Sequence, residues 1–256
     1  MKWTYPILLL AIGFIPNSVW AQKNLFQSEK LEARKGFLLG ANGNFDMPAG
    51  DLKHRFGNSY RLGPSMHYKT KKNWIFGIKL DFTNGDQIKE DSLFSGIKDN
   101  AGTMINQNGQ RIGINTYRRG FMSGIEAGYI INTSKKVSDN GIMLLTGLGF
   151  IQHKILIQDK GESILSLTAD YRKGYDRLTN GLYLEQYVGY LYLSNNGLIN
   201  FHIGLDVAMG FTQGRRDFLY DVRRPDKENR TDILFGVRGG WYLPMFKRKS
   251  EEFFFE

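Results

Sequence analysis

Four histidines supply the scarcest acid–base chemistry in this 256-residue chain, and no cysteine accompanies them. His153 precedes Glu162, Ser163 and Ser166, types that could pair a base with a hydroxyl nucleophile, but no motif surrounds either serine. His54 sits in the basic stretch Lys53-His54-Arg55, while His67 and His202 fall in alternating segments where a hydrogen-bonding role is expected. No spacing of histidines and carboxylates suits a metal ion, so no catalytic, metal or cofactor-binding residue is expected. Charge is the commoner resource. Arg61, Lys79, Asp81, Glu126, Glu185, Asp206 and Arg238, with His67, Lys69 and Asp232, stand singly between large apolar residues.

The segments holding those charges share one pattern. In residues 74 to 82, Trp74, Phe76, Ile78, Leu80 and Phe82 occupy alternate positions and Lys79 and Asp81 lie between them. A period of two marks a strand with one apolar and one polar face. The same period recurs over residues 36–46, 58–70, 116–131, 141–157, 182–194, 198–213 and 230–246, giving eight strands. The 141–157 segment is apolar on both faces, with Leu144, Leu148 and Phe150 opposite Leu145, Gly147 and Gly149, so its inward face stays open. Links after the second and sixth strands are very short (71–73 and 195–197), and 132–140 is intermediate. Those after the odd strands are longer, near 47–57, 85–115, 158–181 and 214–229. Short turns at one end and long loops at the other are the habit of outer-membrane barrels.

Export is written at the N-terminus. Lys2, the apolar run Ile7 to Ile15, Pro16 and the small-x-small ending at Ala21 read as a secretory signal peptide over residues 1–21. That run is shorter than the ~20 apolar residues of a spanning helix, and no later segment approaches it. Residues 22–35 then form a periplasmic N-terminal segment, 36–246 the barrel and 247–256 a periplasmic tail. The chain is 41% hydrophobic and 23% charged with 30 glycines, enough for one sizeable domain, and no linker divides it. Its formal charge is +9, one less once Lys2 is removed, which suits anionic lipid headgroups; export makes nucleic acid the wrong partner.

An apolar face can meet a second sheet or lipid. A soluble sandwich or lipocalin-like barrel also gives antiparallel hairpins, but such interiors are filled with apolar groups, whereas here the charged and glycine-rich face would be internal. The expected fold is therefore all-β, a closed antiparallel eight-stranded up-and-down transmembrane β-barrel with both termini periplasmic. Eight strands leave an interior only wide enough for side chains, so the luminal charges are expected to pair into a plug. Glycines such as Gly77, Gly189, Gly204 and Gly236 make room for longer neighbours. Tyr60, Tyr68, Trp74, Tyr117, Tyr129, Tyr183, Tyr192, Trp241 and Tyr242 are expected in aromatic girdles at the headgroups.

Function then moves to the rims. Arg215, Arg216, Arg223 and Arg224 of the last long loop are candidates to grip lipopolysaccharide phosphates or a partner. The loop over 85–115 mixes Leu93-Phe94 with Asn106-Gln107-Asn108-Gly109 and is a candidate partner surface. Phe253, Phe254 and Phe255 near the C-terminus are candidates for periplasmic docking. The last strand ends Arg238-Gly239-Gly240-Trp241-Tyr242-Leu243-Pro244-Met245-Phe246, which looks like the C-terminal recognition strand of bacterial outer-membrane barrels. With the signal peptide, strand count and lopsided links, it makes the chain resemble the small OmpA-like or PorT-like outer-membrane β-barrel families. That resemblance implies a non-enzymatic structural or accessory subunit of an envelope secretion or assembly complex, in contact with outer-membrane lipid, lipopolysaccharide and an envelope protein partner. A narrow channel for ions or small solutes and, less favoured, a lipid-modifying enzyme are the alternatives.

Overall fold

The structure, a computed structural model, describes residues 33–90, 93–99, 101, 103–133, 139–159, 164, 167, 169–194 and 199–246. The signal peptide, most of the 22–35 segment, the 195–197 turn, Glu162, Ser163, Ser166 and the tail with Phe253 to Phe255 lie outside the described residues. Eight long strands ring a single closed sheet: β1 Gly36–Gly50, β2 Ser59–Lys69, β3 Trp74–Gly85, β4 Ile114–Asn132, β5 Gly141–Asp159, β6 Thr179–Leu193, β7 Asn200–Gly214 and β8 Asn229–Phe246. Each pairs antiparallel with its neighbours in sequence, and β1 closes on β8 from Gly36 opposite Phe246 to Gly50 opposite Asp232. Closure leaves no unpaired edge.

The period of two sets which side chains face out. Outward residues include Phe37 and Phe45 of β1, Leu62 of β2, Ile78 of β3, Ile125 of β4, Leu148 of β5, Leu182 of β6, Leu205 of β7 and Val237 of β8; Leu205 is 65% exposed and Ile125 62%. This apolar surface encircles the barrel and ends, toward the long loops, in outward polar residues: Asn84, Arg119, Gln152, Asn180, Gln213 and Thr231. An apolar outside around a charged inside is the arrangement of a transmembrane barrel, the inverse of a soluble one. Pro64 lies mid-strand in β2, where the β2–β3 register passes from Leu62 opposite Phe82 to Ser65 opposite Lys79. Proline has no N–H to give the ladder.

On its inner face β5 carries Met143, Leu145, Ile151, His153, Ile155 and Ile157, all buried. The face that sequence left open is thus assigned, and it is mostly apolar. Two apolar clusters fill the ends of the interior. One, toward the termini, holds Leu38, Ile75, Ile130, Met143, Leu145, Tyr187, Leu191, Leu193 and Tyr242. The other, toward the long loops, includes Met122, Ile151, Ile155, Tyr183, Ala208 and Leu234.

The long loops carry secondary structure of their own. A short helix Leu52–Arg55, a helix Ala169–Lys173, and two small hairpins (Met104–Ile105 with Arg111–Ile112, Arg216–Leu219 with Arg224–Asp226) lie within them. Isolated bridges join Phe56 to Ile88 and Asn106 to Ile164, so the first three loops pair with one another. Leu93 and Phe94 are only 2% and 3% exposed, packed with Leu52, Phe56, Met104, Ile164, Leu167 and Tyr175 over the barrel mouth. They cap the barrel and are not displayed to a partner, which corrects the expectation for that pair.

Candidate functional site: a filled interior and two rims

Between the apolar clusters lies the charge network. Parity brings Arg61 of β2, Lys79 and Asp81 of β3, Glu126 of β4, Glu185 of β6, Asp206 of β7 and Arg238 of β8 to one level, each 4% exposed or less. Arg61 donates to both carboxylate oxygens of Asp46 at 2.6 and 2.9 Å, to Asp206 at 2.9 Å and to Glu185 at 3.2 Å. Lys79 lies 2.5 Å from Glu185 and 3.0 Å from Asp81. Arg238 donates to both oxygens of Glu126 at 2.6 and 3.2 Å, and Glu126 also meets His67 Nε2 at 2.8 Å. In a medium of low dielectric such pairs hold only because each guanidinium and ammonium is hydrogen-bonded as well as neutralised.

Tyrosines wall this network. Lys79 lies 5.9 Å from the Tyr183 ring centre and Arg238 5.1 Å from that of Tyr187. Tyr187 and Asn42 meet the two ring nitrogens of His202 at 2.9 and 3.0 Å. Tyr183 and Tyr242 are fully buried, so neither belongs to a girdle: they share parity with Glu185 and Arg238, which turns them inward. Tyr60, Tyr68, Trp74, Tyr192 and Trp241 do lie outside. Gly77 abuts the His67 ring, and a β-carbon at Gly240 would meet the Asn42 oxygen at 2.5 Å, so a larger residue at either position would displace the network.

Asp46 and Arg118 were missed by sequence reading. Asp46 is fully buried against Arg61, and Arg118 donates to Ser59 Oγ at 2.9 Å. Parity with Asn44 and with Glu126 would have found both. Lys69 and Asp232, expected in the same network, sit apart. Lys69 pairs with Asp139 at 2.8 Å near the terminal rim, because its strand ends there. Asp232 accepts from Thr212 at 2.7 Å and meets His153 at 2.9 Å, nearer the loops. His153 is therefore a buried structural partner, remote from solvent. No group of three His, Cys, Asp or Glu among the described residues could hold a metal ion.

Ion pairs tie the loops at the long-loop rim. Glu90 accepts from Arg55 at 2.7 Å and from Arg177 at 2.8 Å, and Arg177 also pairs with Asp221. Each of the four loops thus gives one residue to a single chain of charges. Of the four candidate arginines, Arg216 is half-buried and bound to Asp176 at 2.5 and 2.7 Å. Arg215 is exposed beside Asn180 at 2.6 Å, Arg223 is exposed, and Arg224 meets Glu228 at 3.1 Å with its side chain 63% exposed. Exposed Tyr171, Phe218, Tyr220 and Val222 lie on the same loops, with Tyr220 5.4 Å from Tyr171 and 5.6 Å from Phe218 between ring centres. At the opposite rim Arg34 donates to Asp139 at 2.5 and 2.9 Å, drawing the segment before β1 across to the β4–β5 link.

These features define a closed eight-stranded barrel of transmembrane architecture with a filled interior. No protein-family model matches the chain, and no curated protein matches it. Among solved structures it is similar to Ail, the attachment invasion locus protein of Yersinia pestis, solved in complex with the heparin analogue sucrose octasulfate: TM-score 0.44, 9% identity, covering 82% of this chain and 99% of Ail. Neisserial surface protein A is similar at TM-score 0.40 and 12% identity (82% of this chain, 99% of that one). The outer membrane protein OprG of Pseudomonas aeruginosa gives 0.33 and 9% (83% and 97%).

Proposed function

We propose that this chain is an integral barrel of a bacterial outer membrane, non-enzymatic and non-conducting, that serves a structural or accessory role through its rims. The observation that carries this reading is the pairing of an apolar outer surface with an interior filled by Arg61, Arg238 and their carboxylates between two apolar clusters. Apolar side chains exposed all round the barrel would cost a soluble protein heavily, and burial of the paired inner charges supports a closed interior. Function then rests with surfaces. Arg215, Arg223 and Arg224 beside Phe218 and Tyr220 offer cations and aromatic faces to lipopolysaccharide phosphates or an envelope protein, the accessory role in secretion or assembly that the family resemblance implies.

Two measurements test this. Unboiled protein in detergent is expected to migrate faster than boiled protein, as a closed barrel does. Identical migration together with solubility in detergent-free buffer overturns the membrane reading. Affinity purification from native membranes is expected to recover an envelope partner that the R215Q/R223Q/R224Q variant loses; unchanged recovery moves the docking surface away from these arginines.

A further inference from the structure

The terminal rim holds a groove of about 550 Å³ lined by Lys35, Tyr68, Thr70, Lys71, Lys72, Trp74 and Phe76. Its position follows from the β2–β3 turn. Thr70 N–H donates to the Trp74 carbonyl at 2.8 Å, the Trp74 N–H to Thr70 Oγ1 at 3.0 Å, and the Asn73 N–H to the Thr70 carbonyl at 3.1 Å. Asn73 takes a left-handed conformation (φ 63°), and its carbonyl accepts from Ile130 N–H at 2.9 Å, fastening the turn to β4. A turn so fixed holds Lys71 and Lys72 at the rim, with Lys35 contributed by the adjacent start of β1.

The groove is amphipathic in one direction. Its wall toward the barrel is aromatic: Tyr68 stands opposite Phe76 in the register and edge-on to Phe37 at 5.1 Å, and Trp74 stacks on Phe76 at 6.2 Å and meets Tyr129 at 5.4 Å. Its mouth carries three exposed lysines, none of which has a carboxylate partner among the described residues. The buried acid described at this rim, Asp139, is already taken by Arg34 and Lys69. Three exposed ammonium groups directly above an apolar wall, with no carboxylate partner among the described residues, match a molecule with a negative head and hydrocarbon tail, aligned as in a leaflet.

We infer that this groove binds one anionic phospholipid, its phosphate held among Lys35, Lys71 and Lys72 and its acyl chains lying along Tyr68, Phe76 and Trp74. The site rests on the membrane reading above and lies at the rim opposite the loops. It is therefore distinct from any contact with lipopolysaccharide there. With the termini periplasmic, the lipid belongs to the inner leaflet.

Full-length protein in nanodiscs of phosphatidylethanolamine, with and without a minor fraction of phosphatidylglycerol, tests it. Heat-modifiable migration after reconstitution reports insertion; its absence in the wild type overturns the membrane reading and the lipid site with it. Native mass spectrometry after mild detergent extraction then reads retained lipid. The wild type is expected to keep one phosphatidylglycerol per chain in preference to phosphatidylethanolamine. K35Q/K71Q/K72Q is expected to weaken that binding on the order of a hundredfold, while K53Q/K98Q/K227Q, which removes equal charge at the long-loop rim, keeps it. Should the groove variant fail to insert, K71Q and K72Q singly are each expected to weaken binding roughly fivefold. Equal retention by groove and control variants, or no preference for phosphatidylglycerol in an inserted barrel, overturns the proposal.

Discussion

Arg61 touches carboxylates from four strands, Asp46, Asp81, Glu185 and Asp206, at 2.6 to 3.6 Å, with every one of these side chains 1% exposed or less. Truncating such a hub strands several buried anions, so Arg61→Ala is expected to destabilise the barrel by about 3–5 kcal/mol. Urea titration in lipid, read by the shift between folded and unfolded bands, checks this; a loss below about 1 kcal/mol would show that the network contributes little. The same parity that locates Arg61 locates most of its neighbours from sequence alone. Tyr183 and Tyr242 were misplaced because residue type, aromatic near a strand end, was weighed above position, two residues from Glu185 and four from Arg238. Asp46 was missed because it closes the expected 36–46 strand beside the long loop, where its parity with Asn42 and Asn44 was not followed to the end.

At the scale of elements, the loops depend on one another. Glu90 is held by two guanidinium groups from two other loops, so Glu90→Gln is expected to loosen the cap by about 1–3 kcal/mol while the barrel still shows its band shift. Hydrogen exchange faster in all four loops would show the coupling; faster exchange confined to the 86–113 loop would refute it. A second element titrates. Asp99 accepts from the backbone N–H of Thr103 at 2.9 Å, from its hydroxyl at 2.9 Å and from the Ala101 N–H at 3.0 Å, which holds the carboxyl below its ordinary range. The bonds favour the ionised form, so their support is complete above the unfolded-state value and vanishes as pH falls through the lowered one. The protection of the Thr103 amide, its exchange relative to the intrinsic rate at the same pH, is accordingly expected to be high at neutral pH and low in acid, and Asp99→Asn is expected to flatten that dependence. These elements were illegible beforehand because their strands are two to four residues long, too short for a period to register. Strand β5 was ambiguous for another reason: Leu144 and Leu148 face out while Met143, Leu145 and Ile151 face in, and hydrophobicity alone cannot rank two apolar faces.

Taken whole, the molecule is a cylinder stoppered three times, by a loop cap, a layer of ion pairs and an apolar floor. Liposomes containing the purified protein are therefore expected to release ions and small dyes no faster than protein-free liposomes. Steady conductance in a planar bilayer would contradict that. The stoppering also bears on how the chain comes to exist. Arg238, partner of Glu126, lies on β8, and β8 also forms the seam with β1 across nearly the full length of the chain. A nascent or truncated chain lacking its last strand leaves Glu126 without its guanidinium and β1 without its second neighbour. Burial of the inner charges thus waits for the contact of greatest sequence separation, the slowest kind to form. For the proposed membrane barrel, completeness of synthesis becomes a precondition for insertion: a fragment cut before β8 is expected to keep its carboxylates hydrated and to insert poorly.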